Sequence, residues 1–194
     1  MMRLLRSARW LLTLSAVSLL GYAGFVFVDT WQFQRAEDRK LDTLLLAAPQ
    51  NAATLLPASL SSAATGSLTA RIEVPRLGMS AMVMEGVTSS ILRRAAGHIP
   101  GTALPGEQGN IGISAHRDTF FRPLRHIEVG DTVLLTTMSG SYRYRVLSTL
   151  ITTPDDVAVL SPGTGESLTL VTCYPFYFVG PAPNRFVVRA ERIS

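Results

Sequence analysis

The chain has 194 residues, of which 47% are hydrophobic and only 16% are charged, and this length suits one domain with an additional segment. Its formal net charge is +4, but Arg3, Arg6 and Arg9 precede all fourteen acidic residues. The remainder of the chain is therefore close to neutral, which excludes the basic surface expected of a nucleic-acid-binding protein.

Residues 10–28 contain no charged side chain and predict a transmembrane helix. Such a helix is just long enough to cross a hydrocarbon core of about 30 Å. Because arginines precede it and Asp29 follows it, the positive-inside rule places residues 1–9 in the cytoplasm and the rest of the chain outside. We therefore expect a single-pass plasma-membrane protein. The alternative is a cleaved signal peptide, but no clear A-x-A site follows the apolar run at once.

Residues 29–65 are predicted to form a helical stalk and a linker, followed by a globular domain over 66–194. The helix covers 29–48, and a linker rich in Ala, Ser, Thr, Leu and Pro follows Pro49. We expect the stalk only to set the reach of the domain from the membrane. In the alternative interpretation, the leucines at 44–46 pack onto the domain or onto a second copy.

From Leu68 onwards, short apolar segments separated by turn signals predict a mostly β domain, either a sandwich or a barrel. A short helix is expected over 89–96, a turn-rich connection over 97–109 and one helical turn over 120–126. The predicted strands cover residues 68–75, 79–86, 110–116, 131–138, 141–151 and 168–172, with a last strand that begins at Arg185.

Cys173 is the only cysteine of the chain and stands at the end of a β-branched run, directly before a loop rich in Gly and Pro. If the strands on either side of this loop pair antiparallel, Cys173 and Arg185 lie at the same edge of the sheet. A lone cysteine is often a small buried hydrophobic residue. The predicted export and the position between strand and loop favour a reactive thiol instead.

Three histidines are candidates for an acid or base beside this thiol. His116 ends the predicted strand NIGISAH, His98 lies in the turn-rich connection, and His126 lies at the end of the short helical turn. The pattern of residues around them favours His116 but leaves the choice open.

Two C-terminal motifs resemble those of the sortases, which are membrane-anchored cysteine transpeptidases of bacterial surfaces. The run TLVTC at 169–173 resembles the sortase signature TLxTC, and NRFVV at 184–188 resembles the strand that carries the sortase arginine. The segment around His116 resembles the G-H-R-D motif that carries the sortase histidine, with Ala115 in place of the glycine. The resemblance covers residues 66–192, and the C-terminal part is most similar to class D.

This resemblance implies a closed β-barrel of about seven or eight strands with one or two short helices, preceded by the transmembrane helix. It implies that Cys173 is the nucleophile, His116 the general acid and base, and Arg185 the group that stabilises the oxyanion. Thr172 is a candidate for substrate binding, with strand packing as the alternative. Arg117 and Asp118 are expected to pair with each other.

The implied partners are proteins with a C-terminal sorting signal of the LPxTG kind, cleaved after threonine, and an amine acceptor on a cell-wall peptide or a pilin lysine. No cofactor is implied. The adjacent Asp155 and Asp156 lack the further spaced oxygen ligands of a calcium site.

Two other functions remain as alternatives to the transpeptidase. One is a non-catalytic, membrane-anchored binding or scaffold domain on the same fold, and the other is a cysteine peptidase that hydrolyses its thioester. An L,D-transpeptidase is disfavoured, because that class places histidine and cysteine in a single motif whereas His116 and Cys173 are far apart in this sequence.

Overall fold

The computed structural model describes residues 2–47, 64–163, 165–178 and 180–193. It contains a long N-terminal helix, α1 (Met2–Ala47), a short helix, α2 (Ser89–Leu92), and eight strands. The strands are β1 (Leu68–Val74), β2 (Met79–Glu85), β3 (Ala96–His98), β4 (Gly109–Ser114), β5 (Thr132–Thr137), β6 (Gly140–Thr152), β7 (Glu166–Tyr174) and β8 (Asn184–Arg192). Short 3-10 helices cover Pro75–Leu77, Arg122–His126 and Val157–Leu160.

The eight strands form a closed barrel in the order β1-β2-β3-β4-β7-β8-β6-β5, and β5 pairs with β1 to complete it. The pairs β2–β3 and β4–β7 are parallel, and the other pairs are antiparallel. The predicted closed barrel is thereby confirmed. Alternate residues of its strands fill a single core that includes Ile72, Ile111, Leu135 and Leu170.

We call one end of this barrel the upper rim and the opposite end the lower rim. Followed around the barrel, the pairing places the C-terminal ends of β1, β4, β6 and β7 at the upper rim, together with the N-terminal ends of the other four strands. The segments that follow β4 and β7 therefore meet at the upper rim.

The sequence-based prediction missed β3, which has only three residues and lies in the segment expected to form turns. Its place in the barrel is fixed by backbone pairing with β2 on one side and β4 on the other. The predicted helix over 89–96 is also shorter in the structure, because the chain leaves α2 to enter β3. Thr88, whose side chain accepts a hydrogen bond from the Ile91 N–H at 3.5 Å, caps α2.

Helix α1 is continuous from the apolar segment into the predicted stalk. The segment Arg9–Leu46 is long and apolar enough to cross a membrane by length and composition. Most of the linker predicted after Pro49 lies outside the described residues.

The stalk part of α1 packs on the outside of the barrel, so it is more than the spacer that we expected. Leu41 is only 1% exposed there. The Gln34 side chain accepts a hydrogen bond from the Met82 N–H at 2.8 Å and donates one to the Arg94 carbonyl oxygen at 2.5 Å. The leucine that this contact buries is Leu41, whereas Leu44 remains exposed.

Two groups of ion pairs add to this docking. Arg94 pairs with Asp29 at 3.0 Å, close to the end of the apolar segment. Arg71 of β1 pairs with Asp38 at 2.7 Å and with Asp42 at 3.1 Å. Along α1, these contacts pass from the segment before β3, past Met82 of β2, to Arg71 of β1, so the stalk crosses the outside of these strands. The apolar part of α1 lies beside the upper rim, where Tyr22 and Phe27 share a cavity with His116 and Pro123.

Candidate active site

Cys173 and Arg185 are direct cross-strand partners in the antiparallel pair β7–β8. Leu168 and Leu170 of β7 belong to the core, so the alternation along the strand turns Cys173 to the outer face of the barrel. Both Cys173 and Arg185 are partly exposed. The structure therefore brings the thiol and the guanidinium together on one face at the upper rim, as the two predicted strands required.

His116 reaches the same place from a different strand. In the parallel pair β4–β7, Ser114 is level with Val171, and the Ala115 N–H continues the pairing by donating to the Val171 carbonyl oxygen at 3.3 Å. Two residues further along each strand, this register places His116 level with Cys173. His116 is exposed, two residues beyond the end of β4.

The Thr172 side chain is only 2% exposed and donates a hydrogen bond to the Ala115 carbonyl oxygen at 2.7 Å. This bond fastens the residue before His116 to the residue before Cys173. It extends the β4–β7 connection beyond the last backbone pair, so the hydroxyl holds the two strand ends together.

The other two histidines lie in different surroundings. His98 is buried, with its Nδ1 atom 2.7 Å from a Glu85 carboxylate oxygen and its Nε2 atom 3.0 Å from the Ala103 carbonyl oxygen. His126 is exposed and its Nε2 atom accepts a hydrogen bond from Arg125 at 2.9 Å. Of the three histidines, His116 is the one that the fold places beside the cysteine strand.

Arg185 is oriented by backbone carbonyl groups. Its Nη1 atom donates to the Asn184 oxygen at 3.1 Å and to the Ala182 oxygen at 3.4 Å. Within the described residues it forms no ion pair with a carboxylate. The guanidinium charge is therefore not neutralised by a neighbouring acid in this part of the chain.

The loop between β7 and β8 is held by contacts that the sequence did not predict. Arg117 was expected to pair with Asp118, but its Nη2 atom donates to the carbonyl oxygens of Phe178 at 2.6 Å and Gly180 at 3.0 Å. Arg117 is thus a clamp between the segment that follows His116 and the loop that follows Cys173.

Three aromatic rings pack at the base of the same loop. The Phe176 ring contacts those of Tyr174 and Phe186 edge to face, with centroid distances of 6.2 and 5.3 Å. Such pairs stabilise beyond their buried area. The clustering of aromatic residues around the cysteine in the sequence was the available signal for this packing.

Thiol, imidazole and guanidinium are the groups that acyl transfer through a thioester needs. A thiolate attacks a carbonyl carbon, an imidazole transfers protons, and a fixed cation stabilises the developing oxyanion. A cavity of about 880 Å³ near the lower ends of β7 and β8 is lined by none of these three residues. The chemistry therefore points to the upper rim.

The Sortase domain family matches residues 72–193 of the chain. The chain belongs to the sortase family. This sortase is 30% identical to Sortase D of Bacillus subtilis (strain 168) over 185 residues, which cover 91% of this chain and 92% of that protein. The family assignment and the predicted similarity to class D are thereby confirmed.

Solved sortase structures share the fold. A Sortase D5 transpeptidase of Clostridium perfringens superposes with a TM-score of 0.68 at 26% identity, covering 80% of this chain and 95% of the other. Sortase E1 of Streptomyces coelicolor, solved with a tripeptide in the active site, superposes with a TM-score of 0.61 at 30% identity, covering 69% of this chain and 91% of the other. Membership in this family makes the protein a cysteine transpeptidase.

Proposed function

We propose that this sortase uses Cys173 as nucleophile, His116 as general acid and base, and Arg185 to stabilise the oxyanion. The observation that carries the proposal is the pairing of Cys173 with Arg185 across β7 and β8, with the end of β4 beside them. Two consecutive strands, β7 and β8, supply the thiol and the guanidinium, and the distant end of β4 supplies the imidazole.

In the first half-reaction, the Cys173 thiolate attacks the carbonyl carbon of a substrate peptide bond. The carbonyl oxygen becomes negative, and Arg185 offsets that charge. The C–N bond then breaks, His116 donates a proton to the departing amine, and the acyl group remains on Sγ as a thioester.

In the second half-reaction, an acceptor amine attacks the thioester carbon. His116 takes a proton from the amine, the C–S bond breaks, and the thiolate is regenerated as the new amide leaves. Thr172 enters this proposal through its hydroxyl, which holds the strand end that carries His116. Direct contact of Thr172 with substrate stays a prediction.

For the substrate, we propose a protein with a C-terminal LPxTG-like sorting signal that is cleaved after threonine. The acceptor would be an amine of a cell-wall peptide or of a pilin lysine. We further propose that α1 anchors the protein in the plasma membrane with the N-terminus in the cytoplasm and the barrel outside. The charge-free run over 10–28, the preceding arginines and Asp29 support this orientation.

The test is intact-mass spectrometry of the full chain in detergent micelles with LPxTG- and LPxTA-type peptides, with and without hydroxylamine. We expect a mass gain equal to the N-terminal peptide fragment on Cys173, and a peptide hydroxamate when hydroxylamine is present. The matched control is Cys173→Ser, which keeps the shape of the side chain and replaces the thiol by a far less acidic hydroxyl.

The two alternative functions give different results in this assay. A hydrolytic peptidase would continue to release free acid when the amine is added, whereas a transferase forms the conjugate at the expense of the acid. A binding domain would give neither adduct nor hydroxamate with any peptide, and this outcome would refute the proposed transpeptidation of these signals.

A further inference from the structure

The upper rim carries an exposed surface of aromatic and basic side chains that the proposed reaction does not use. Tyr177 is 78% exposed and Phe178 is 45% exposed, both in the loop between β7 and β8. The Arg125 guanidinium lies 5.5 Å from the Tyr177 ring centre, and that of Arg117 lies 5.9 Å from the Phe178 ring centre. With the exposed Arg122, these residues form what we call the aromatic–arginine edge.

The position of α1 shows which part of the upper rim lies beside the apolar helix. A cavity of about 890 Å³ lies between the rim residues His116 and Pro123 and the helix residues Tyr22 and Phe27. Arg122 of the edge directly precedes Pro123 in the chain. These helix residues belong to the charge-free run that ends at Val28. The segment that follows His116 therefore faces the last turns of the apolar helix, at the level where such a helix leaves the hydrocarbon core.

The docking of the stalk fixes this arrangement. The Asp29–Arg94 ion pair and the two hydrogen bonds of Gln34 attach α1 to the barrel directly below the apolar run. Because α1 is one continuous helix, the barrel has little freedom to turn its upper rim away from the apolar segment of α1.

We propose that the aromatic–arginine edge rests on the outer surface of the membrane that α1 crosses. The inference depends on the proposed membrane anchoring of α1. Tyr177 and Phe178 lie at the headgroup level, where amphipathic aromatic rings are favoured. Arg122 and Arg125 face the phosphate groups of anionic lipids, which attract basic residues near the surface, whereas Arg117 holds the loop that carries the two rings.

The chemistry of the edge favours a lipid surface over a protein partner. Residues 117–126 contain three arginines, Arg117, Arg122 and Arg125, and one acid, Asp118, so the edge is net positive. Its two exposed rings line neither of the two cavities described above. Exposed aromatic rings, each with an arginine near it, suit an anionic lipid surface.

The consequence concerns where catalysis takes place. Cys173 is only four residues from Tyr177 on the same strand and loop. An edge that rests on lipid holds the thiol within reach of the membrane surface, and bilayer composition then affects how firmly the site is held there.

The test measures the depth of single labels on the full chain in vesicles. In a Cys173→Ala background, an environment-sensitive fluorophore is attached to Tyr177→Cys, to Met138→Cys or to Leu19→Cys, and a quencher is carried on the lipid. Met138 is 56% exposed in the turn between β5 and β6 at the lower rim, so it is the matched control. Leu19 lies within the charge-free run and reports insertion of α1.

We expect strong quenching at position 19 and quenching at position 177 that exceeds that at position 138 by about twofold or more, because only the upper rim meets the interface. Equal quenching at positions 177 and 138 with strong quenching at 19 would overturn the inference and leave the anchor intact. No quenching at any position would overturn both. The measurement needs no turnover, so it is independent of the proposed reaction.

A second experiment varies the charge of the lipid. We expect quenching at position 177 to increase when phosphatidylglycerol is added to phosphatidylcholine vesicles, and to lose that increase when Arg122→Glu and Arg125→Glu are combined. The same label at position 138 should not respond. If quenching at position 177 changes neither with lipid charge nor with these substitutions, the arginines do not bind anionic lipid.

Discussion

Replacement of Arg117 by alanine should release the loop between β7 and β8. Its Nη2 atom donates hydrogen bonds of 2.6 and 3.0 Å to the carbonyl oxygens of Phe178 and Gly180. A hydrogen bond that involves a charged group contributes about 1.5–3 kcal/mol. Because the loop is exposed and water replaces part of what is lost, we expect a net cost near the lower end, about 1.5 kcal/mol for the two bonds together.

A cost of about 1.4 kcal/mol corresponds to a tenfold change in an equilibrium constant. The open population of the loop should therefore increase about tenfold, and with it the rate of proteolysis at the exposed aromatic residues of the loop. The assay is limited digestion with chymotrypsin, in which mass spectrometry follows the fragments that end at Tyr177 or Phe178. Because the substitution acts on the loop and not on the core, the thermal unfolding of the barrel should change little.

The matched control is Arg122→Ala, which removes an exposed arginine from the same segment. It should leave cleavage at Tyr177 and Phe178 at the wild-type rate. If Arg117→Ala and Arg122→Ala give equal cleavage rates, the clamp does not hold the loop and the reasoning fails. If Arg117→Ala also slows hydroxamate formation, the order of this loop is coupled to the cysteine site.

Three further predictions concern stability. Leu41→Ala should lower the free energy of unfolding by about 2–4 kcal/mol in chemical denaturation of the full chain, because it opens a cavity between stalk and barrel. Leu44→Ala should change the free energy of unfolding little, because Leu44 is exposed. The hydrogen-bonded Arg76 guanidinium lowers the pKa of the Asp131 carboxyl. The stability that Asp131 contributes to the folded state is therefore complete above its ordinary pKa of about 3.9 and is lost as the pH falls through the lowered value. Asp131→Asn should reduce the fall of the melting temperature at acid pH. Gly97→Ala should lower the yield of folded protein, because its Cβ would lie 2.3 Å from a backbone carbonyl oxygen; a wild-type melting temperature would contradict this.

The local pattern of the sequence was sufficient for most of the barrel. Alternating apolar residues and turn signals gave β1, β2, β4, β5 and β6 to within one or two residues, because a strand with one buried face has a period of two. The short β3 escaped detection, since three residues carry no measurable period and their pairing with β2 and β4 is decided elsewhere in the chain.

The candidate site shows the same division between local pattern and long-range contact. Cys173, Arg185 and His116 were predicted from the sequence because the segments around them resemble sortase motifs and each residue stands at the boundary of a strand and a loop. The partners of Arg117 could not be predicted from the sequence, because they are backbone carbonyl groups about sixty residues away along the chain. The hydroxyl of Thr172 likewise found its acceptor on Ala115, across a strand pair that no local signal defines.

The apolar run over 10–28 and the strand periods follow from the sequence alone, because each depends on neighbouring residues, and the candidate reactive side chains were predicted from their resemblance to sortase motifs. Barrel closure was decided only in three dimensions, since hydrogen bonds between strands far apart in sequence place the end of β4 parallel to β7 and thus His116 level with Cys173. The docking of the stalk depends in the same way on contacts such as Gln34 with Met82. Local propensity selects the elements, whereas burial and hydrogen bonding between distant segments decide which of them meet.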